Sequence, residues 1–115
     1  MNKKLVYLAA PYSGTKSEMK TRFRIINLYA ACVFKAGDYW VYSPISHTVP
    51  IAKAGHCGAT FGFWEEFDLK MISLCDEVHV LCLPGVEKSE GVSAEIEYAS
   101  RIGKPIKMVR IPTNS

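Results

Sequence analysis

No block of like charge, no C-x-x-C pair, no internal repeat and no long apolar run occurs in this chain of 115 residues. Each absence removes a class of function. The 14 basic and 11 acidic residues leave a net charge of only +3. They are scattered, so nothing forms the basic stripe that a nucleic-acid polymer or a membrane surface would need. The balance still permits a small anionic ligand. Cys32, Cys57, Cys75 and Cys82 are too isolated for a disulfide framework or a zinc site. Three of them sit in helix- or strand-like apolar runs, so reduced core thiols in a cytoplasmic protein are expected. His56-Cys57 has no partner at metal-ligand spacing, and neither a metal nor a cofactor is expected. The apolar run Leu5 to Ala10 follows a basic start but stops after six residues at Pro11-Tyr12. That is too short for the core of a signal peptide, and no run approaches the length of a membrane span.

What the chain does contain is alternation. Half of it, 49%, is hydrophobic, enough for a single core in one domain covering residues 1–115. Leu5 to Ala10 reads as a buried parallel strand. Ser17 is placed to cap a helix running to Ala36, with Gly37 closing it. Tyr39 to Ser43 is a second strand. Pro44 to Thr60 holds two prolines and two glycines and reads as a long structureless loop of the kind that serves function. Phe61 to Cys75 is helical, with Trp64, Phe67, Met71, Leu74 and Cys75 as its buried stripe and Asp68 at the edge. Val78 to Leu83 is the third strand, Ser89 to Ile102 the third helix with Gly103 closing it, and Ile106 to Val109 the fourth strand. This β-α-β-α-β-α-β order implies a three-layer α/β sandwich of flavodoxin or Rossmann type. Its four- to five-stranded, mostly parallel sheet would have the order 2-1-3-4. Ligands in such folds bind beyond the strand C-termini where the strand order reverses, which is at the loops Ala10 to Gly14 and Pro84 to Gly91.

One residue near that reversal is out of place. At about 100° per residue, Glu95 falls among Val92, Ile96, Ala99 and Ile102 on the face that packs on the sheet. Glu97 and Arg101 form an ordinary solvated pair on the opposite face. Asp68 is the second inward acid. A buried, unpaired carboxylate is costly, so each needs a partner, a raised pKa or a cleft. Paired acids suit glycosyl transfer, one attacking the anomeric carbon and the other helping the leaving group depart. The plainer alternative is that each caps a backbone group or pairs within the core. Tyr7, near the end of the first strand, is either a core tyrosine or the hydroxyl that fixes the Glu95 rotamer. Ser89 can cap the last helix, and Gly91 leaves room for a ligand to approach its first-turn amides. Arg22 and Arg24 read as solvated, although either can reach a ligand near its helix start. His79 reads as a satisfied core histidine. Phe61, Phe63, Trp64 and Phe67 read as core, with Phe61 or Trp64 able to line a pocket.

Tyr7-Leu8-Ala9-Ala10 with its polar loop, Asp68 eight residues before Asp76, and Ser89-x-Gly91-x-x-x-Glu95 resemble the nucleoside 2-deoxyribosyltransferase superfamily. The serine in the last motif is most similar to its 2'-deoxynucleoside 5'-monophosphate N-glycosidase branch. Ser43-Pro44-Ile45-Ser46-His47 and Leu83-Pro84-Gly85 resemble small bacterial and phage members, and the likeness spans Leu5 to Val109. The resemblance implies that Glu95 is the nucleophile forming a glycosyl-enzyme and that Tyr7 orients it. Asp68 would assist base departure or hold sugar and base. Ser89 and the amides near Gly91 would take a 5'-phosphate or 5'-hydroxyl, and His47 would approach the base. The stretch Ala10-Pro11-Tyr12-Ser13 stands where that branch carries a Gly-Ser-Ile-Arg phosphate loop. It has no arginine, leaving Ser13, Lys16 or Arg22 as substitutes and Tyr12 free to stack on base or sugar. The implied activity is an N-glycosidase acting on a nucleoside or nucleotide, with hydrolysis favoured over base transfer. The alternatives are a deoxyribosyltransferase and a silent nucleotide-binding module. Superfamily members generally associate, so a homo-oligomer is expected, with no nucleic-acid polymer or membrane as partner.

Overall fold

Short strands and longer helices alternate along the chain in the computed structural model, which describes residues 2–58 and 60–111. The elements are β1 (Lys4–Ala9), α1 (Lys16–Ala36), β2 (Tyr39–Tyr42), α2 (Pro44–Gly55), α3 (Phe61–Leu74), β3 (Glu77–Leu81), α4 (Glu90–Arg101) and β4 (Ile106–Val109). All strand pairs are parallel and their order is β2-β1-β3-β4. The expected architecture is therefore present, with four strands among the described residues. Because side chains alternate across a strand, the sheet feeds two cores. Tyr7, Ala9, Val78 and Val80 pack with Ile72, Cys75, Val92 and Ala99 from the α3 and α4 side. Leu8, Ala10, Val41 and Leu81 pack with Ile26 and Ala30 of α1. Right-handed crossovers that leave β1 in one direction and β3 in the other place these helices on opposite faces.

Several local expectations are corrected. The cap of α1 is Thr15 rather than Ser17. Thr15 holds extended backbone (φ −66°, ψ 164°), its hydroxyl accepts from the Glu18 amide, and Glu18 bonds back to the Thr15 amide. Ser17 is already the second residue of the helix, past the capping position. Gly37 does close α1, in the left-handed region at φ 83°. Of the thiols expected in the core, Cys75 is buried and Cys82 half-buried, but Cys32 and Cys57 are exposed, and all four are free.

The largest correction is α2. The segment read as a structureless loop is helical from Pro44 to Gly55. Pro44 sits at the start of the helix, where a missing N–H costs nothing. Ser46 tethers the first turn to α1 through Asn27 Oδ1 and shares a 2.7 Å hydrogen bond with Ser43 Oγ. Pro50 removes one amide from the interior, which the packing of α2 on α1 and β1 tolerates. The helix ends at His56, the one non-glycine described residue at positive φ (51°). Only the short link to Thr60 is non-helical among the described residues, and Ala59 lies outside them.

In α3 the buried face is rotated from the expected stripe. Asp68 and Ile72 are buried, whereas Phe67 and Leu74 are 41% and 60% exposed. A helix with apolar residues on most of its circumference leaves the choice of inward arc to packing rather than to hydropathy. Asp68 thus moves from the edge of the buried face to its centre. No helix among the described residues is long and apolar enough to cross a membrane.

Candidate active site

Above the C-terminal ends of β1 and β3, both reversal loops, the inner face of α2 and the first turns of α3 and α4 enclose a cleft of about 1030 Å³. Ala10, Pro11, Tyr12 and Ser13 border it from one loop, and Ser89 and Gly91 from the other; Asp68 and Glu95 also line it. Tyr7 is fully buried beneath, and its hydroxyl donates to Glu95 Oε2. These two residues are 88 positions apart in the chain.

The electrostatics follow from burial. Glu95 is only 5% exposed. Desolvation pushes its carboxyl up to about 8, against the pull of the Tyr7 hydrogen bond and with a further push from the Asp68 charge. The Tyr7 hydroxyl is held well above its ordinary value, first by burial and then by the Glu95 charge. Burial also raises Asp68 to about 6, and its Oδ1 finds no hydrogen-bond partner among the described residues. Tyr42, at the end of β2 and in register with Tyr7, has a second unpartnered hydroxyl. It is pushed up to about 12 by burial and then by the Asp68 charge. Sequence reasoning missed Tyr42, because only the register of β2 on β1 sets the two rings 5.9 Å apart.

At the head of α4, Ser89 caps as expected, its Oγ accepting from the Val92 amide at 3.2 Å. The Ser89 hydroxyl proton therefore remains free to donate. Gly91 borders the cleft, but the tight approach it permits is made by a protein side chain. A Cβ placed there would lie 3.2 Å from the Phe61 ring, so glycine lets α3 close on α4. Arg22 fastens the two reversal loops together. Its Nη1 donates to the Ser13 carbonyl and, at 3.4 Å, to that of Tyr12, and its Nη2 donates to the Pro84 carbonyl at 3.1 Å. Arg22 borders the cleft, so a cation stands beside the loop that carries no arginine of its own.

His47 is not brought into the cleft. It is exposed and does not line the cleft, its ring centroid lying 6.0 Å from those of Tyr42 and of Phe67 on α3. In a loop its direction would be free, but a helix turns residue 47 about 100° away from its neighbour 48. The inner face of α2 instead offers Ile45, Thr48, Val49 and Ala52 to the cleft. Their i, i+3, i+4, i+7 spacing was the available signal, masked by the prolines and glycines around it.

His79 is a satisfied core histidine, as expected. Its Nε2 lies 2.6 Å from Glu77 Oε1 at the opposite end of the sheet. Burial alone would raise Glu77, but hydrogen bonds to His79 and Lys107 hold it below the ordinary range. Among the described residues no three His, Cys, Asp or Glu side chains converge as metal ligands.

The fold and site together define a parallel α/β sandwich whose reversal-point cleft buries a pair of carboxylates, one fastened by a tyrosine. Within that class, the chain belongs to the family described as Domain of unknown function (DUF1937), whose model matches residues 4–110. That span runs from the start of β1 past the end of β4 and takes in every element of the cleft. No curated protein matches the chain.

Proposed function

We propose that the protein is an N-glycosidase that cleaves the base–sugar bond of a nucleoside or nucleoside 5'-monophosphate. It would work in the manner of the nucleoside 2-deoxyribosyltransferase superfamily that its motifs resemble. The observation that carries the reading is the Tyr7–Glu95 hydrogen bond at the floor of a cleft that also holds the unpartnered Asp68. In the first step a Glu95 carboxylate oxygen bonds to the anomeric carbon as the carbon–nitrogen bond breaks. The electron pair leaves with the base nitrogen, which takes its proton from Asp68. In the second step water attacks the same carbon, the sugar–Glu95 ester bond breaks, and the water proton returns to Asp68. Tyr7 holds the departing and returning charge of Glu95 in place. The Ser89 hydroxyl and the first-turn amides of α4 support binding of the substrate's 5' end, where the helix terminus favours an anion. Arg22 adds a cation there.

Two rivals use the same cleft. A transferase would admit an acceptor base in place of water, and a binding module would hold the nucleotide without cleaving it. The second is favoured by Glu95 itself, since a carboxyl titrating near 8 is mostly neutral in the empty cleft. Homo-oligomerisation belongs to the proposal, supported by Phe63, Phe67 and Leu74 exposed along α3. Four free thiols suit a reducing, cytoplasmic setting.

The test is base release from a panel of ribo- and deoxyribonucleosides and their monophosphates, followed by chromatography. Release by the wild type that is lost in Glu95→Ala supports the enzyme. Tight binding without release, unchanged in Glu95→Gln, supports the binding module instead. Base exchange on adding a second free base would replace hydrolysis by transfer.

A further inference from the structure

Lys88 in the second reversal loop, Arg22 on α1 and Lys53 near the end of α2 all border the cleft. Among the described residues none of the three forms a salt bridge with a carboxylate. Their contacts set them in a row. The Lys88 amide donates to the Gly85 carbonyl at 3.0 Å, so Gly85 to Lys88 is one tight turn. Arg22 grips the other end of that turn. Its Nη2 donates to the Pro84 carbonyl at 3.1 Å, and a Cβ placed on Gly85 would lie 3.3 Å from the same nitrogen. Lys53 Nζ lies 6.0 Å from the ring centroid of Phe23, the residue next to Arg22. The row thus begins beside Ser89 at the head of α4, crosses the reversal loops and ends on α2, where His56 also borders the cleft.

Two carboxylates share this rim. Glu18, beside Arg22, accepts from the Thr15 amide at 2.8 Å. Glu90 stands in the first turn of α4, where an acid offsets the positive end of its own helix. A single 5'-phosphate is met by Ser89, the first-turn amides and Arg22, and leaves Lys53 unused. The cleft has room for more. Its volume of about 1030 Å³ stands at the top of the range of about 300–1,000 Å³ that small-ligand pockets span. Solvated cations contribute little singly, but one multiply charged anion can engage several at once.

We infer that the cleft takes a nucleotide carrying a 5'-pyrophosphate, with the first phosphate at Ser89 and Arg22 and the second between Arg22 and Lys53. This deepens the proposed nucleotide-cleaving function and rests on it. The bond cleaved is still the one between base and sugar, so the chemistry at Glu95 and Asp68 is unchanged. Probes are the 5'-mono- and 5'-diphosphate of one deoxyribonucleoside and a dinucleotide bridged by pyrophosphate. Calorimetry on the intact protein gives Kd, and base release gives kcat/KM. The diphosphate binds about tenfold tighter than the monophosphate, an advantage that shrinks as added salt screens the exposed lysine. Lys53→Met cuts that advantage about two- to fivefold, and Lys53→Arg keeps it. With the advantage present, a dinucleotide that binds as well as the diphosphate identifies the pyrophosphate as bridging, and one that binds less well identifies it as terminal.

Equal affinity for mono- and diphosphate, or equal weakening of both in Lys53→Met, would overturn the inference. Its failure is distinguishable from failure of the proposed reaction. Diphosphate binding that depends on Lys53, with no base released, supports the second phosphate site and removes the enzyme. Base release with no preference for the diphosphate keeps the enzyme and removes the second phosphate. Absence of binding and release alike removes both.

Discussion

Replacing Tyr7 by phenylalanine isolates what the buried hydroxyl does for Glu95. Tyr7 is 0% exposed and its ring is part of the core, so Tyr7→Phe keeps the packing and deletes one hydrogen bond. That bond is what opposes the upward push of burial and of Asp68 on the Glu95 carboxyl. With Glu95 at about 8 and Asp68 at about 6, the pair holds one proton between these values, and it sits mainly on Glu95. The reaction needs it on Asp68. The productive arrangement is therefore about one part in a hundred of the singly protonated pair. A hydrogen bond to a charged group contributes about 1.5–3 kcal/mol, or roughly one to two pKa units. Its loss raises Glu95 further and thins the productive arrangement by another factor of about ten to a hundred. The expected kcat/KM profile in the wild type rises to about pH 6, is flat to about pH 8 and then falls. In Tyr7→Phe the plateau drops by that factor while the alkaline limb moves to higher pH. The assay is base release from the best nucleotide at constant ionic strength from pH 5 to 10. A lowered plateau with an unmoved alkaline limb would reduce Tyr7 to an orienting group, and an unchanged profile would refute the proton argument altogether.

Three further outcomes are expected. The Glu95 pKa rises from 4.5 to about 8 on folding, so the native state binds more protons than the unfolded chain between those values. The stability it confers is complete below about pH 4.5 and is lost as pH rises through 8, at a rate of about 1.4 kcal/mol per unit within the window. Urea melts at pH 6 and 9 should show a loss of about 3 kcal/mol in the wild type that is absent in Glu95→Gln. An equal loss in both would assign it to other groups. Arg22→Met removes the cation bonded to the Tyr12, Ser13 and Pro84 carbonyls. It should raise KM for monophosphates about tenfold or more beyond its effect on nucleosides, whereas equal effects would leave Arg22 only its loop-tying role. Ser89→Ala removes the acceptor of the Val92 amide and should cost about 1 kcal/mol in denaturant melts. If Ser89 also holds the 5' group, the same variant weakens monophosphates more than nucleosides.

The alternation of strand and helix was legible because its signals are local. A two-residue or 3.6-residue period and a glycine after a helix act within a few residues. The inward direction of Glu95 was legible for the same reason, since Val92 and Ala99 define the buried arc of α4 around it. Local signals failed where they conflicted. Pro44, Pro50 and Gly55 hid the period of α2, so His47 was expected in the cleft that Thr48 borders instead. Apolar residues nearly all round α3 left the position of Asp68 open.

The chain's own sequence thus determined the order of the four strands and of helices α1, α3 and α4, the parallel sheet that follows from it, and the reversal point above which the cleft opens. Tertiary structure alone decided which side chains meet there. Tyr7 reaches Glu95 across 88 residues, Arg22 closes on Pro84 across 62, and Asp68 loses its water only when α3 lies over the sheet. Direction on a helix is set by dihedral angles within one turn. Desolvation and long-range contact are set by which faces pack, and these raised two carboxyl pKa values and left one cleft oxygen without a protein partner.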